Sequence, residues 1–423
     1  MKSNLFRKLS GVQPHEVKAT FLSFLFVFTL MLAYYILRPV RDAMASDWSD
    51  AEVSQLWTLN FFISTIVVAI YGLGVSKIKF KYLVPGVYTF FAVSFVFFYI
   101  YMASVSEKTL IEKSFYVWIS VFAMFHLSVF WSFMSDIFNK QQARRLFAII
   151  AAGASAGALI GPLVPTLFVT YSGIQNLILI ASILLMFPIP IILTLSKLKS
   201  KALNNTEINT DSDNFKIGGN PFSGFKTFVS NPYMLAIGVF ILLYTMISTF
   251  VYFEQKNLLA AYDRATRTQI LGSIDWIVNV LTFGIAFFAT SRIVNKMGMG
   301  RTLALMPLLV CAGILVLAFA PIIVVLLALQ VTRRAGNYAV TKPAREMLFT
   351  EVSKEERFKT KPVIDVVVYR GGDSVTAWLF TGLTEGLGLG FTAIGVIGAT
   401  VAALWAGVGI WVGKLYDSKR EAK

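Results

Sequence analysis

Long runs of apolar residues, separated by short polar stretches, recur along the whole chain. A helix needs roughly 20 mostly apolar residues to cross the hydrocarbon core of a bilayer, and twelve stretches of this sequence are about that long or longer. The pattern therefore predicts an all-α polytopic membrane protein with twelve transmembrane helices. These helices are Ala19–Asp42, Gln55–Ser76, Tyr82–Val105, Ser114–Phe138, Leu146–Tyr171, Asn176–Leu195, Tyr233–Lys256, Gln269–Val294, Thr302–Ala320, Ile322–Phe349, Val363–Gly386 and Phe391–Tyr416.

The longest polar stretch lies at the midpoint and is rich in Asn, Ser, Thr, Asp and Gly. Such a composition is typical of a linker. We therefore expect an N-terminal six-helix half over residues 1–196, a cytoplasmic linker over 197–231 and a C-terminal six-helix half over 232–423. Weakly similar charged motifs leave the fourth and tenth helices, at Asp136-Ile137-Phe138 and Glu346-Met347-Leu348-Phe349. Two parallel repeats of six helices are the architecture of the major facilitator type, which is the fold we predict.

Charged residues make up only 14% of the 423 residues, and 56% of the residues are hydrophobic, whereas a soluble domain carries about 25% charged residues. The net charge of +15 comes largely from Lys and Arg in alternate loops, for example between Lys77 and Lys81 and between Lys197 and Lys201. Basic loops mark the cytoplasmic side. We therefore expect a multi-pass monomer in the cell inner (cytoplasmic) membrane, with both termini cytoplasmic, membrane lipid around it and no nucleic-acid partner.

Few residues are available for metal or redox chemistry. Cys311 is the only cysteine, and His15 and His126 are the only histidines, which excludes disulfide frameworks and cysteine zinc sites. His126 is flanked by apolar residues, and we interpret it as a packing residue. The sequence contains neither a glycine-rich phosphate loop nor a nucleophile–base motif. We therefore expect no cofactor and no enzymatic activity.

Charged residues inside apolar helices usually mark a substrate or ion pathway. In the first helix, Tyr34, Arg38 and Arg41 share one face. One interpretation is an internal Arg38–Asp42 pair close to the membrane surface, with the arginines reaching toward water. The other interpretation is a contact with an anionic substrate.

The tenth and eleventh predicted helices carry the largest set of polar residues. Gln330, Arg334, Asn337, Thr341 and Arg345 form a predicted stripe with Arg333 on its edge, while Asp365, Tyr369 and Asp373 share a face on which Arg370 can pair with Asp373. This set is either a structural network or a binding site. Because the arginines expected to be buried outnumber the carboxylates, we predict an external anionic partner, which Arg can grip with two parallel hydrogen bonds.

Several further residues are candidates for coupling or gating. Asp275 and Glu254 lie in predicted membrane helices, and charged loop residues could form latches that break when the inner side opens. The coupling or gating candidates are Asp42, Asp136, Glu254, Asp275, Arg345, Glu346, Lys361, Asp365 and Asp373, and the loop latches also include Arg144 and Arg145. Gly153, Gly157 and Gly161 form a small-residue ridge that favours close helix packing, and this packing could also form the interface on which the halves move.

Three stretches carry a resemblance to a known family. They are residues 34–42 (Tyr-Tyr-Ile-Leu-Arg-Pro-Val-Arg-Asp), Phe130-Trp131 with Ala143-Arg144-Arg145-Leu146-Phe147, and Arg345-Glu346-Met347-Leu348 with Lys361, Ile364-Asp365-Val366 and Tyr369-Arg370. With them the chain resembles the ATP/ADP translocase (nucleotide transporter) branch related to the major facilitators. The resemblance implies twelve helices and exchange of nucleotides across a membrane. The chain departs from that family in lacking its fourth-helix carboxylate between Phe115 and Trp131.

The resulting hypothesis is a secondary active transporter that moves a small organic anion by alternating access, with nucleotide as one candidate. Two alternatives remain open: ion-coupled transport of another organic anion, such as a carboxylate metabolite or siderophore, and lipid flipping. The predicted substrate-binding residues are Tyr34, Arg38, Arg41, Arg333, Arg334, Asn337, Tyr369 and Arg370.

Overall fold

The computed structural model describes residues 12–78, 80–201, 203, 223–288, 296–353, 356, 360–361 and 363–421. These residues are predominantly helical, and no strand occurs among them. Ten helices in this part of the chain are long and apolar enough to cross a membrane. The predicted all-α, polytopic class is confirmed.

The described residues form fifteen α-helices. The first part of the chain forms α1 (Val17–Ala45), α2 (Asp50–Lys77), α3 (Phe80–Ser104), α4 (Thr109–Ile137), α5 (Lys140–Ile160), α6 (Leu163–Met186) and α7 (Pro188–Lys201). The second part forms α8 (Ser223–Ser230), α9 (Pro232–Leu259), α10 (Arg264–Phe288), α11 (Met299–Phe319), α12 (Ile323–Gly336), α13 (Lys342–Leu348), α14 (Gly372–Thr381) and α15 (Phe391–Glu421).

The contacts divide the chain into two compact units. Unit 1 comprises Met1–Ala45, Phe62–Lys216 and Asp263–Trp276, and unit 2 comprises Ser46–Phe61, Ile217–Tyr262 and Ile277–Lys423. Helices α2 and α10 therefore each contribute to both units. The predicted boundaries of two halves and a linker stay a prediction, and most of that linker, residues 204–222, lies outside the described residues.

Two of the predicted boundaries are corrected. Helix α10 begins at Arg264 rather than Gln269, because the Asp263 carboxylate accepts hydrogen bonds from the backbone N–H groups of Ala265 and Thr266 and so caps the helix. These bonds and one from the Thr266 hydroxyl lower the pKa of Asp263. The segment predicted as one helix over Leu146–Tyr171 is interrupted before Leu163, where Pro162 has no N–H to continue the helical ladder.

The turn between the fifth and sixth predicted helices is confirmed within α6. Gly173 adopts φ +74° and ψ 160° there, a conformation that residues with a side chain rarely adopt. The chain therefore changes direction inside the predicted gap between Tyr171 and Asn176.

The glycine ridge of α5 packs against α1 within unit 1. A Cβ atom added at Gly153 would lie 2.4 Å from the Phe24 carbonyl oxygen, and one at Gly157 would lie 2.4 Å from that of Phe28. The predicted role in close helix packing is confirmed. The partner of the ridge is a helix of the same unit, so these contacts do not form an interface between units.

Each unit has its own aromatic core. In unit 1, Phe26 packs edge-on against Tyr88 and Phe130, and in unit 2 Trp405 contacts Phe240 and Tyr244. Many large apolar side chains face outward, for example Tyr171 at 89% and Phe319 at 75% exposure. A soluble protein rarely exposes so many, but a bilayer covers them.

The tenth and eleventh predicted helices contain π-helical turns. Asn337–Thr341 joins α12 to α13, while Val363–Gly371 and Gly382–Gly386 flank α14. Such turns are rare and occur frequently at functional sites. They place Asn337, Thr341, Tyr369 and Arg370 on π-helical turns, whereas Arg333, Arg334 and Asp373 lie on regular α-helix.

Candidate functional site

In unit 1, two arginines and two aspartates form a cluster in which Asp275 is buried and the other three residues are half-buried. Arg41 Nε and Nη2 donate to Asp42 Oδ1 at 2.8 and 2.6 Å, and Arg41 Nη1 donates to Ser120 Oγ at 3.2 Å. Arg38 lies 3.8 Å from Asp42 and 3.5 Å from Asp275. The predicted i,i+4 pair between Arg38 and Asp42 is present, and Asp275 on α10 makes a second ion pair with Arg38. The four charges of this cluster balance.

Three more residues of unit 1 make contacts close in sequence to this cluster. Tyr34 stacks on His126, with ring centroids 4.8 Å apart, and the His126 Nδ1 lies 3.2 Å from the Phe122 carbonyl oxygen. Arg267, which is 6% exposed, donates to the Ala43 carbonyl oxygen at 3.4 Å. The sequence interpretation missed Arg267 because it placed this residue before the start of the helix.

In unit 2, Arg333 is the centre of a hydrogen-bond network between α9 and α12. Its Nη1 donates to the Ser248 hydroxyl and its Nη2 to Gln330 Oε1 at 2.7 Å, and the Gln330 amide nitrogen donates to Gln255. Arg333 is 7% exposed, and its hydrogen-bond partners among the described residues are neutral. The charge of its guanidinium is therefore not balanced by a hydrogen-bonded carboxylate there.

Several buried polar atoms along the tenth predicted helix have no hydrogen-bond partner within the described part of the chain. They are Arg333 Nε, Asn337 Oδ1, Thr341 Oγ1 and Arg345 Nε. Asn337 uses its other amide atom, Nδ2, to donate to the Tyr244 hydroxyl at 2.9 Å. Because buried polar groups are almost always satisfied in native proteins, this set indicates a place where a ligand or water completes the bonding.

The polar stripe of the tenth predicted helix differs from the prediction at one position. Gln330, Arg333, Asn337 and Thr341 are buried, whereas Arg334 is half-buried. Arg333 and Arg334 are three and four residues after Gln330, and both of these positions can belong to the buried face of a helix. Arg333 is the one that donates to the Ser248 hydroxyl on α9. Arg333 therefore lies inside the stripe rather than on its edge.

The eleventh predicted helix faces the same core. The Tyr369 ring lies 6.2 Å from that of Tyr244, and Thr249 on α9 donates to Asp373 at 3.4 Å. Arg370 is half-buried on the π-helical turn. The side chain of Asp365, a predicted coupling residue, lies outside the described residues.

The predicted latches form ion pairs inside single units. In unit 1, Arg145 makes a two-pronged pair with the buried Glu16 at 3.1 and 2.8 Å, and Lys199 pairs with Asp136 at 2.8 Å. In unit 2, Glu346 pairs with Lys361 and lies 3.8 Å from Arg345. Arg144 is exposed.

A second buried charge network in unit 2 was missed by the sequence interpretation. Lys256 Nζ lies 2.7 Å from Asp50 Oδ1 and donates to the Trp48 carbonyl oxygen at 2.7 Å. Thr384 and Asn257 donate to the other oxygen of Asp50, at 2.9 and 3.4 Å. Asp50 lies at the start of α2, outside every predicted helix, so the apolar pattern carried no signal for it.

Metal binding has no support in the described residues, where no group of three or more His, Cys, Asp or Glu side chains is placed to hold an ion. The chemistry of both clusters is instead that of charge and hydrogen-bond recognition.

Comparison with known proteins yields one family and many similar solved structures. The family model of the Major Facilitator Superfamily matches residues 23–357. The nucleoside transporter NupG is similar in structure, with a TM-score of 0.64, 14% identity and coverage of 95% of this chain and 99% of that chain.

A bacterial homologue of the human lysosomal transporter Spinster, solved inward-facing and unoccupied, is also similar, with a TM-score of 0.58, 13% identity and coverage of 96% and 97%. No curated protein matches the sequence. At these identities the structural likeness concerns the fold, and it agrees with the family match. The chain belongs to the Major Facilitator Superfamily.

Proposed function

We propose that this protein is a secondary active transporter that moves an organic anion by alternating access. The observation that carries the proposal is Arg333, a guanidinium 7% exposed whose hydrogen-bond partners are a hydroxyl and an amide. Asp373 interacts with this guanidinium electrostatically, but no hydrogen bond joins the two within the described residues. A buried charge without a hydrogen-bonded counter-charge is costly unless a further partner arrives. The planar guanidinium fits carboxylate or phosphate.

The unpartnered polar atoms of the tenth predicted helix narrow the class of anion. Arg333 Nε and Arg345 Nε can donate to an oxyanion, while Asn337 Oδ1 can accept only from a donor on the ligand. An anion that also carries hydroxyl or amino groups satisfies both requirements. A nucleotide has this chemistry, and the sequence resemblance to ATP/ADP translocases supports it; a hydroxylated carboxylate or a siderophore has it as well.

We also propose the membrane placement that the basic loops predict, with both termini cytoplasmic in the cell inner membrane. Arg38 and Arg41 in unit 1 are paired with Asp42 and Asp275. We propose that Arg38 and Arg41 leave these aspartates and bind the substrate during the transport cycle. When substrate is absent, the arginines pair with the two aspartates again.

The proposal predicts that Arg333→Gln weakens anion binding about 10- to 100-fold, since a hydrogen bond to a charged group contributes about 1.5–3 kcal/mol. The measurement is a thermal-shift titration of the purified protein with ATP, ADP, nucleosides, carboxylates, phosphorylated metabolites and siderophores. A ligand that binds the folded state at 100 times its Kd stabilises it by about 2.7 kcal/mol.

Arg301→Gln is the matched control, because Arg301 is exposed at the start of α11 and its loss should leave every shift unchanged. Two outcomes would contradict the proposal. One is a neutral nucleoside that shifts the wild type and Arg333→Gln alike. The other is an anion whose affinity is equal in both proteins.

A further inference from the structure

Glu254 on α9 is a buried carboxyl group without a hydrogen-bond partner. The residue is 6% exposed, and neither of its two carboxyl oxygens has a partner within the described residues. Its neighbour Asp50, also 6% exposed, differs sharply because it has Lys256, Thr384 and Asn257 around it. Glu254 is thus buried at a place where an ionised carboxylate has no compensation.

The surroundings of Glu254 are apolar. It lines a cavity of about 10 Å³ together with apolar residues of α9, α11 and α15, among them Phe250, Ala318 and Phe391. None of the lining side chains contributed by α11 or α15 carries a charge. The cavity has room for about one water molecule.

Asp50 is the charged group that acts on Glu254 electrostatically, and Lys256 lies two residues after Glu254 on α9. Lys256 is engaged by Asp50 and by the Trp48 carbonyl oxygen, so it does not serve Glu254. Asp50 acts on Glu254 electrostatically as a like charge, which disfavours a second negative charge. A metal cation in this cavity would find one carboxyl group and no other side-chain oxygen among the lining residues, whereas such ions need several oxygen ligands. A proton needs only one carboxyl oxygen.

We propose that Glu254 is a reversible proton-binding site of this transporter. In the conformation described here a proton from water is bound to one carboxyl oxygen as an O–H bond, and the side chain is neutral. The proton returns to water when the cavity opens and the carboxylate becomes hydrated. The step transfers one proton between water and the carboxyl group, and it involves no redox change and no other ion.

The position of Glu254 provides a short path to water. It lies five residues before Leu259, the last residue of α9, which is about 7 Å along a helix. Phe391 is the first residue of α15, and Ala318 lies one residue before the end of α11. The cavity is therefore close to the ends of all three helices, and a small separation of these ends admits water.

The test is an infrared titration of the purified, full-length protein, which follows the C=O stretching band of protonated carboxyl groups from about pH 5 to about pH 10. The wild type is expected to show, at neutral pH, one carboxyl equivalent that is missing in Glu254→Gln and that disappears as the pH rises. Glu421→Gln, at an exposed residue near the end of α15, should give the wild-type spectrum.

Two results would overturn the proposal. One is a protonated-carboxyl band that is identical in wild type and Glu254→Gln. The other is a band assigned to Glu254 that stays constant over the whole pH range, which would make the proton a permanent structural one. Should Glu254→Gln fail to fold, ¹³C-glutamate labelling of the wild type separates glutamate bands from aspartate bands by their isotope shift, and the absence of any titrating glutamate band would overturn the proposal.

The use of this proton in transport rests on the proposed function, but the infrared test does not. It requires no substrate, so a negative result would leave the anion proposal intact. Conversely, a thermal-shift screen in which no anion binds would contradict the anion proposal but not the proposed proton-binding site.

Discussion

Lys256→Met is expected to destabilise the protein by about 3–5 kcal/mol, because it leaves the buried Asp50 carboxylate without its counter-charge. The side chains of Lys256 and Asp50 are 4% and 7% exposed, and their charged atoms are 2.7 Å apart. The hydroxyl of Thr384 and the amide of Asn257 remain as donors to Asp50, but neither carries a charge. The expected loss in the free energy of unfolding is therefore electrostatic and does not arise from packing.

The single cysteine provides the measurement. Cys311 is half-buried, and its Sγ donates to the Ala399 carbonyl oxygen at 3.3 Å, so a thiol-reactive dye reports the unfolding of unit 2. The double variant Lys256→Met with Asp50→Asn should recover most of the stability, since neither charge is then left alone. Lys414→Met, at an exposed position, is the control. A wild-type melting temperature in Lys256→Met would contradict the predicted role of the pair.

Gly157→Leu is expected to prevent α5 from packing on α1 and to reduce the yield of folded protein strongly. A Cβ atom at this position would lie 2.4 Å from the Phe28 carbonyl oxygen and 2.8 Å from Met31 Cβ. Neither contact can be relieved by rotating a flexible side chain. Forcing extra atoms into a packed core typically costs 1–3 kcal/mol, and a clash with backbone in the principal packing contact of unit 1 lies at the upper end or beyond.

The matched control for this prediction is Gly407→Leu on α15, where an added Cβ meets nothing within 4 Å. Size-exclusion chromatography in detergent separates folded monodisperse protein from aggregate and measures the yield of both variants. A monodisperse Gly157→Leu at wild-type yield would show that the ridge does not determine the packing of α5 on α1.

The fold class could be predicted from the sequence because crossing a bilayer imposes a length and a composition on each helix. Both are local properties, visible without knowledge of any contact. The Arg38–Asp42 pair could be predicted for the same reason, since a helix brings residues four apart onto one face. The glycine ridge of α5 was visible too, but its partner, α1, was not.

Pairings between segments that are distant in sequence could not be predicted. The Arg38–Asp275 contact depends on how α1 and α10 are rotated about their axes, and the apolar pattern leaves that rotation open because lipid-facing and core-facing residues are both apolar. The hydrophobic pattern did not identify Asp50, because this residue lies at the start of α2 before the apolar run. It also placed Arg267 in a loop before the predicted helix. Both are buried by tertiary contacts of their own unit.

The sequence by itself determined where apolar helices lie and that arginines occur inside them. The tertiary structure determines which of these charges lie in ion pairs. Arg38 and Arg41 pair with aspartates and Lys256 pairs with Asp50, whereas Arg333 hydrogen-bonds only neutral groups and has Asp373 as an electrostatic neighbour. The tertiary structure also decided that Glu254 faces an apolar cavity. The physical reason is that the cost of a buried charge depends on the distance to its partner, and that distance is set by packing between helices rather than within one.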